Sequence, residues 1–199
     1  MDSATPDESH ATAILWRAGR NLQCFQQLEA ALKGLLPAVR MQGTKADLER
    51  QLNQGGKALR KISLGKLSES YRLLMLDGER YKLSSDAVGD AAALSFTSTI
   101  DAAPAVLQEM RNEWRRIVRE RNHLVHSMLI EHELKSSQAA AALIEKLDGQ
   151  YEHASRLLDR LAHHRETLVF AASAFQALIE SGQIGALADE QSDGEAPAT

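Results

Sequence analysis

The chain has 199 residues, enough for one domain with a full core and short for two, and its 44% apolar and 25% charged residues are ordinary for a globular protein. A single cysteine, Cys24, excludes an internal disulfide framework and suits a reducing cytosol, and no apolar run approaches the roughly 18 residues that span a bilayer. The net charge of −4 weighs against a nucleic-acid partner, but seven acids (Asp2, Asp7, Glu8, Asp189, Glu190, Asp193, Glu195) lie in tails without Lys or Arg; setting them aside leaves 20 acids against 23 basic residues, a body of +3.

Aromatics are 5% while Ala and Leu dominate, which favours helix over strand. Residues 1 to about 10 and about 186 to 199 read as disordered polar tails around a single helical domain over 11–185. In chain order, Leu15, Ala18, Leu22, Phe25, Leu28, Leu32, Leu35 and Val39 trace one face of a first helix from about 11 to 36, with Pro37 ending or kinking it. Thr44 caps a second stretch carrying Leu48 and Leu52, which weakens at Gly55-Gly56. A third, about 63 to 76, holds Leu64, Leu67, Tyr71, Leu74 and Met75 and ends at the Asp77-Gly78 turn.

Residues 77–100 are the least periodic, a loop with a short helix around Ala87 to Phe96. Asp101 is placed to cap the next helix, with Pro104 in its first turn and Leu107, Met110, Trp114, Ile117, Val118 and Arg121 along one face. The last helix starts near Ser136 or Ser137 and reaches about Ile179, on a stripe that includes Leu143, Leu147, Ala154, Leu157, Leu161 and Leu168. Unbroken, it exceeds 60 Å at about 1.5 Å per residue, so it bends near His163-His164-Arg165 or packs its far end on a partner. No strand is expected. The architecture is an all-α helical bundle with a long C-terminal helix.

The chemistry concentrates in Arg121-Asn122-His123-Leu124-Val125-His126. A guanidinium binds phosphate through paired hydrogen bonds, and an imidazole moves a proton near neutral pH. Asn122 and His126, at i and i+4, share a helix face, and the long Arg121 side chain can bend back toward them, whereas His123 is offset. Against this, His126 sits among Leu124, Val125, Met128, Leu129 and Ile130, and from spacing alone a hydrogen-bonded packing histidine with a salt-bridged arginine is the more frequent meaning.

The segment resembles the R-x(4–6)-H motif of the HEPN superfamily in its R-N-x-L-V-H form, carried here by Arg121, Asn122, Leu124, Val125 and His126. Leu64-Gly65-Lys66-Leu67 is similar to an upstream Leu-Gly-x-Leu helix start in relatives, and the resemblance spans roughly residues 12 to 180. It implies a metal-independent endoribonuclease of toxin or antiviral-effector type, working as a homodimer with RNA as substrate. In that reading Arg121 binds the scissile phosphate, Asn122 orients the phosphate or His126, and His126 acts as general base or acid. No cofactor is implied. An antitoxin or other regulatory partner is, although the tyrosine that such partners modify in one subgroup is replaced by Met128. The same resemblance allows a non-catalytic dimer that binds proteins or nucleotides; a coiled-coil-like regulator built on the last helix is a third reading.

Arg115, Arg116 and Arg119 are candidate RNA-binding residues. The competing expectation is a solvated face in which Glu109, Glu113 and Glu120 pair with these arginines. His123, His126 and His132 with Glu131 and Glu133 lack a strict metal motif, and Gly55-Gly56-Lys57 lacks the spacing of a phosphate loop. Met1-Asp2, with Asp7 and Glu8, resembles no signal peptide, so the expected location is cytoplasmic, without metal or membrane.

Overall fold

Helix α1 (Glu8–Val39) starts inside the stretch expected to be a tail and runs through Pro37. A proline in the last turn forfeits a single backbone hydrogen bond, which the buried Leu35, Leu36 and Val39 outweigh. The computed structural model describes residues 8–43, 57–77, 94–128 and 136–180. The expected helix over Thr44 to Leu52, the Gly55-Gly56 junction, most of 77–93 and residues 1–7 and 181–199 lie outside them.

Helix α2 (Leu64–Tyr71) passes directly into a π-helical turn, Arg72–Leu76, closed by the Asp77 N–H donating to the Arg72 carbonyl at 3.0 Å. Helix α3 is Pro104–His126 and helix α4 is Ser137–Glu180. Pro104 occupies the first turn of α3 as expected, but Ala103 rather than Asp101 precedes it as N-cap. Ser136 caps α4, its hydroxyl oxygen accepting from the Ala139 N–H at 3.2 Å.

The class is all-α, with one departure from a strand-free reading. Strands β1 (Arg40–Gly43) and β2 (Leu94–Thr97) pair antiparallel, Arg40 opposite Thr97 and Gly43 opposite Leu94. The ribbon also replaces the end of the short helix expected up to Phe96. Its edge serves helix termini: Ser98 N–H donates to the Val39 carbonyl at 2.9 Å and Ile100 N–H to the Met75 carbonyl at 2.8 Å.

By its contacts the chain divides into two compact units, Met1–Ala162 and His163–Thr199. In the first, α2 packs on both α1 and α3. Leu28, Leu32, Leu35, Leu64, Leu67, Tyr71, Trp114 and Ile117 are almost fully buried there, and the Tyr71 and Trp114 rings meet tilted at 5.1 Å. Burial pushes the Tyr71 hydroxyl above its ordinary range, against a small opposing effect of Arg160. In the second unit the helical residues 163–180 expose Val169 and Phe170, and Thr167 and Ser173 donate to the carbonyls of His163 and Val169.

The buried stripe of α1 differs from the expected one in its first half. Leu15 and Leu22 are exposed, and Ile14 and Asn21 face inward instead, on either side of Ala18, which is buried as expected. A polar residue holds this position because its hydrogen bonds are met: Asn21 Nδ2 donates to the Leu147 carbonyl at 2.7 Å and to Gln150 Oε1 at 3.4 Å. Arg17 and Arg20 flank it and both pair with Asp148, while Arg20 also lies 4.0 Å over the Tyr151 ring. Slight burial alone would raise the Asp148 carboxyl, but the hydrogen bonds and charges of the two arginines outweigh it and hold it below its ordinary value. Cys24 is buried beside Ser155, and burial pushes its thiol up, as expected of an inert core cysteine.

Gly149 sits mid-helix in α4, and an added Cβ would meet nothing within 4 Å. Gly149→Ala is therefore expected to raise unfolding free energy by about 0.5–1 kcal/mol through the entropy lost from the unfolded chain, read by urea denaturation. A destabilisation would mean that close packing at this point demands glycine.

Candidate functional site

Helix α3 carries the site because its two faces have different duties. Met110, Trp114, Ile117 and Leu124 are buried, each three or four residues or two turns from the next. On the other side Asn112, Arg115, Arg119, Asn122 and His126 are all exposed and advance by three and four, so they form one polar row. His126 is the last residue of the helix, and Ser127 closes it by donating its N–H to the His123 carbonyl at 2.9 Å. The buried packing histidine allowed by the spacing is thus not what His126 is; Leu124 takes that inward position.

Arg121 is half-buried at the flank of this row, and its Nη1 donates to Asn122 Oδ1 at 3.1 Å. Arg121 is thereby tied to Asn122, which lies one turn before His126. His123 is half-buried off the row. Held this way, the segment offers a guanidinium, an amide and an imidazole at one end of an open helix face.

The arginines of α3 separate into two groups. Arg111 Nε binds Asp77 Oδ1 at 2.6 Å, and Arg116 Nε binds Glu120 Oε1 at 2.7 Å. Glu113, expected to pair within the helix, reaches Arg160 of α4 at 2.6 Å instead. Arg115 meets only the neutral Asn112 at 3.3 Å, and Arg119 has no ion pair among the described residues. These two line a cleft of about 570 Å³ between α2 and α3, together with Glu69, Arg72 and Asn112. The candidate Arg116 is not in that lining. Gly65 lies where the two helices meet, and an added Cβ there would make ordinary contact with Val118 at 3.6 Å, so Ala would fit without strain.

Sequence reasoning missed Arg72 and His153. His153 is 4% exposed on α4, with Nδ1 3.1 Å from Glu120 Oε2, so Glu120 joins Arg116 to a buried imidazole one residue before Arg121. Burial alone would raise the Glu120 carboxyl, but hydrogen bonds and charge from His153 and Arg116 prevail and hold it below its ordinary 4.5. A depressed folded value means that the pair's stabilisation is fully present above about pH 4.5 and is lost as pH falls through the folded value. Wild type and Glu120→Gln should accordingly differ by about 2 kcal/mol in urea unfolding near neutral pH, converging as pH falls through the lowered folded value. A gap independent of pH would rule out the carboxylate as its source.

Among the described residues no three His, Cys, Asp or Glu side chains gather where they could hold a metal ion, and no helix is long and apolar enough to cross a membrane. No family model, curated protein or solved structure matches the chain.

Proposed function

We propose that this chain is a metal-independent endoribonuclease of HEPN type, acting as a homodimer in which two copies of the Arg121–Asn122–His126 segment share one RNA cleft. The observation that supports it is the exposure of His126 on the same open face of α3 as Asn122, with Arg121 hydrogen-bonded to Asn122. In the reaction one His126 imidazole takes the proton of a 2′-hydroxyl, and the resulting oxygen attacks the adjacent phosphorus. The P–O5′ bond breaks, and the second copy's imidazole, entering protonated, gives its proton to the departing oxygen. Arg121 stabilises the charge that builds on the phosphoryl oxygens, and Asn122 holds Arg121 in place. The products are a 2′,3′-cyclic phosphate and a 5′-hydroxyl, and no redox or metal step is needed for the balance.

The test is cleavage of labelled RNA by the purified protein in chelator, with sedimentation to read its oligomeric state. Cleavage that yields cyclic-phosphate ends and is lost in Arg121→Ala and His126→Ala supports the reading. No cleavage by wild type, or undiminished cleavage by both variants, defeats it. The second reading is a non-catalytic interaction module, favoured by the exposed Leu15 and Trp16 on α1, each 62% accessible. It predicts self-association or partner binding without any RNA turnover.

A further inference from the structure

We infer that the cleft between α2 and α3 is a phosphate-binding subsite, built by Arg72, Arg115 and Arg119 and separate from the motif at the end of α3. Arg115 and Arg119 stand at i and i+4, a like-charge spacing that weakens a helix. No acidic residue lies three or four positions from either of them, so no carboxylate of α3 relieves the repulsion. Across the cleft, Arg72 Nε is buried and has no hydrogen-bond partner among the described residues. Arg72 opens the π-helical turn, a distortion that recurs at functional sites.

Three arginines thus line one open volume of about 570 Å³, against a single carboxylate, Glu69, that makes no ion pair with them. Asn112 supplies a further polar group, already accepting from Arg115. The excess positive charge and the planar paired donors of Arg115 and Arg119 call for a multidentate oxyanion, and phosphate has that geometry. Its source is either a backbone phosphate of RNA or a free phosphate ester. The RNA source rests on the reading given above: Arg119 and His126 lie on the same face, about 10 Å apart along the helix axis, so a strand lying on α3 reaches both. In that arrangement the subsite positions the strand while the motif cuts it.

The experiment is fluorescence anisotropy of a labelled 2′-O-methyl oligoribonucleotide of about ten nucleotides, which cannot be cleaved, titrated at several salt concentrations. Inorganic phosphate and a phosphate monoester are the competing probes. Arg115→Gln and Arg119→Gln, both at exposed positions, should each weaken binding about tenfold and lower the slope of log K against log salt by about 0.7. Arg116→Gln, outside the cleft, should change neither affinity nor slope beyond the loss of one distant charge. Arg72→Met extends the test to the buried donor, with thermal unfolding followed in parallel.

An Arg119-dependent affinity for the oligonucleotide assigns the subsite to RNA. The same dependence for the monoester alone assigns it to a free ester. Equal affinity and slope in wild type, Arg115→Gln and Arg119→Gln, or no binding of any probe at low salt, overturns the subsite. Arg119-dependent binding by a protein that cleaves no RNA leaves the subsite standing and removes only the nuclease reading.

Discussion

His126→Ala is expected to lower RNA cleavage by about 10²–10⁴-fold, the range that a single positioned proton-transfer group contributes. The loss should be one of chemistry, because the side chain is exposed at the end of α3 and makes no hydrogen bond or ion pair among the described residues. Removing such a group ordinarily changes stability by no more than about 0.5 kcal/mol. Cleavage assays in chelator, paired with circular dichroism of the same samples, separate the two effects. Arg121→Ala should approach the same loss by removing transition-state charge stabilisation, typically worth about 10²–10³-fold. If His126→Ala instead unfolds the protein, the imidazole is a structural group and the catalytic role is lost.

Trp114→Ala is expected to cost about 3–5 kcal/mol of stability, the largest single-residue effect on the fold. The indole is 2% exposed, contacts the Tyr71 ring at 5.1 Å, and lies under the cleft that separates α2 from α3. Its deletion removes both the apolar burial and the aromatic pair that hold the two helices in register. Urea unfolding reads the effect, and Trp114→Phe should recover most of it by keeping a ring. A cost under about 1 kcal/mol would mean that α1, rather than the Tyr71–Trp114 contact, sets the spacing of α2 and α3.

Much of the helical frame was legible in local pattern. Leu64, Leu67, Tyr71 and Met75 on one element, and Met110, Trp114 and Ile117 on the next, repeat at helical spacing and are buried as that spacing implies. The first half of α1 was misread because Leu15 and Leu22 fit the stripe as well as Ile14 and Asn21 do. Only the carbonyl of Leu147, far along the chain, makes a buried amide preferable there. The β1–β2 ribbon escaped for the same reason, since its pairing joins Arg40 to Thr97, far apart in the chain. A proline in the last turn, at Pro37, gave a false stop because local propensity does not count the leucines buried beyond it.

The six residues Arg121 to His126 name the candidate chemistry by themselves, because residue type and helical spacing suffice to say that a phosphate-binding group and a proton carrier lie near each other. Whether His126 is buried or open was undecidable from its apolar neighbours, since the choice depends on which face of α3 meets α1, α2 and α4. The arginine run shows the same limit more sharply. Its five members look alike in sequence, yet Asp77 and Glu120 neutralise two of them, and Arg115 and Arg119 are left beside Arg72. Charge type is a local property of the chain, but charge compensation is a property of distances, and only the packed helices determine those.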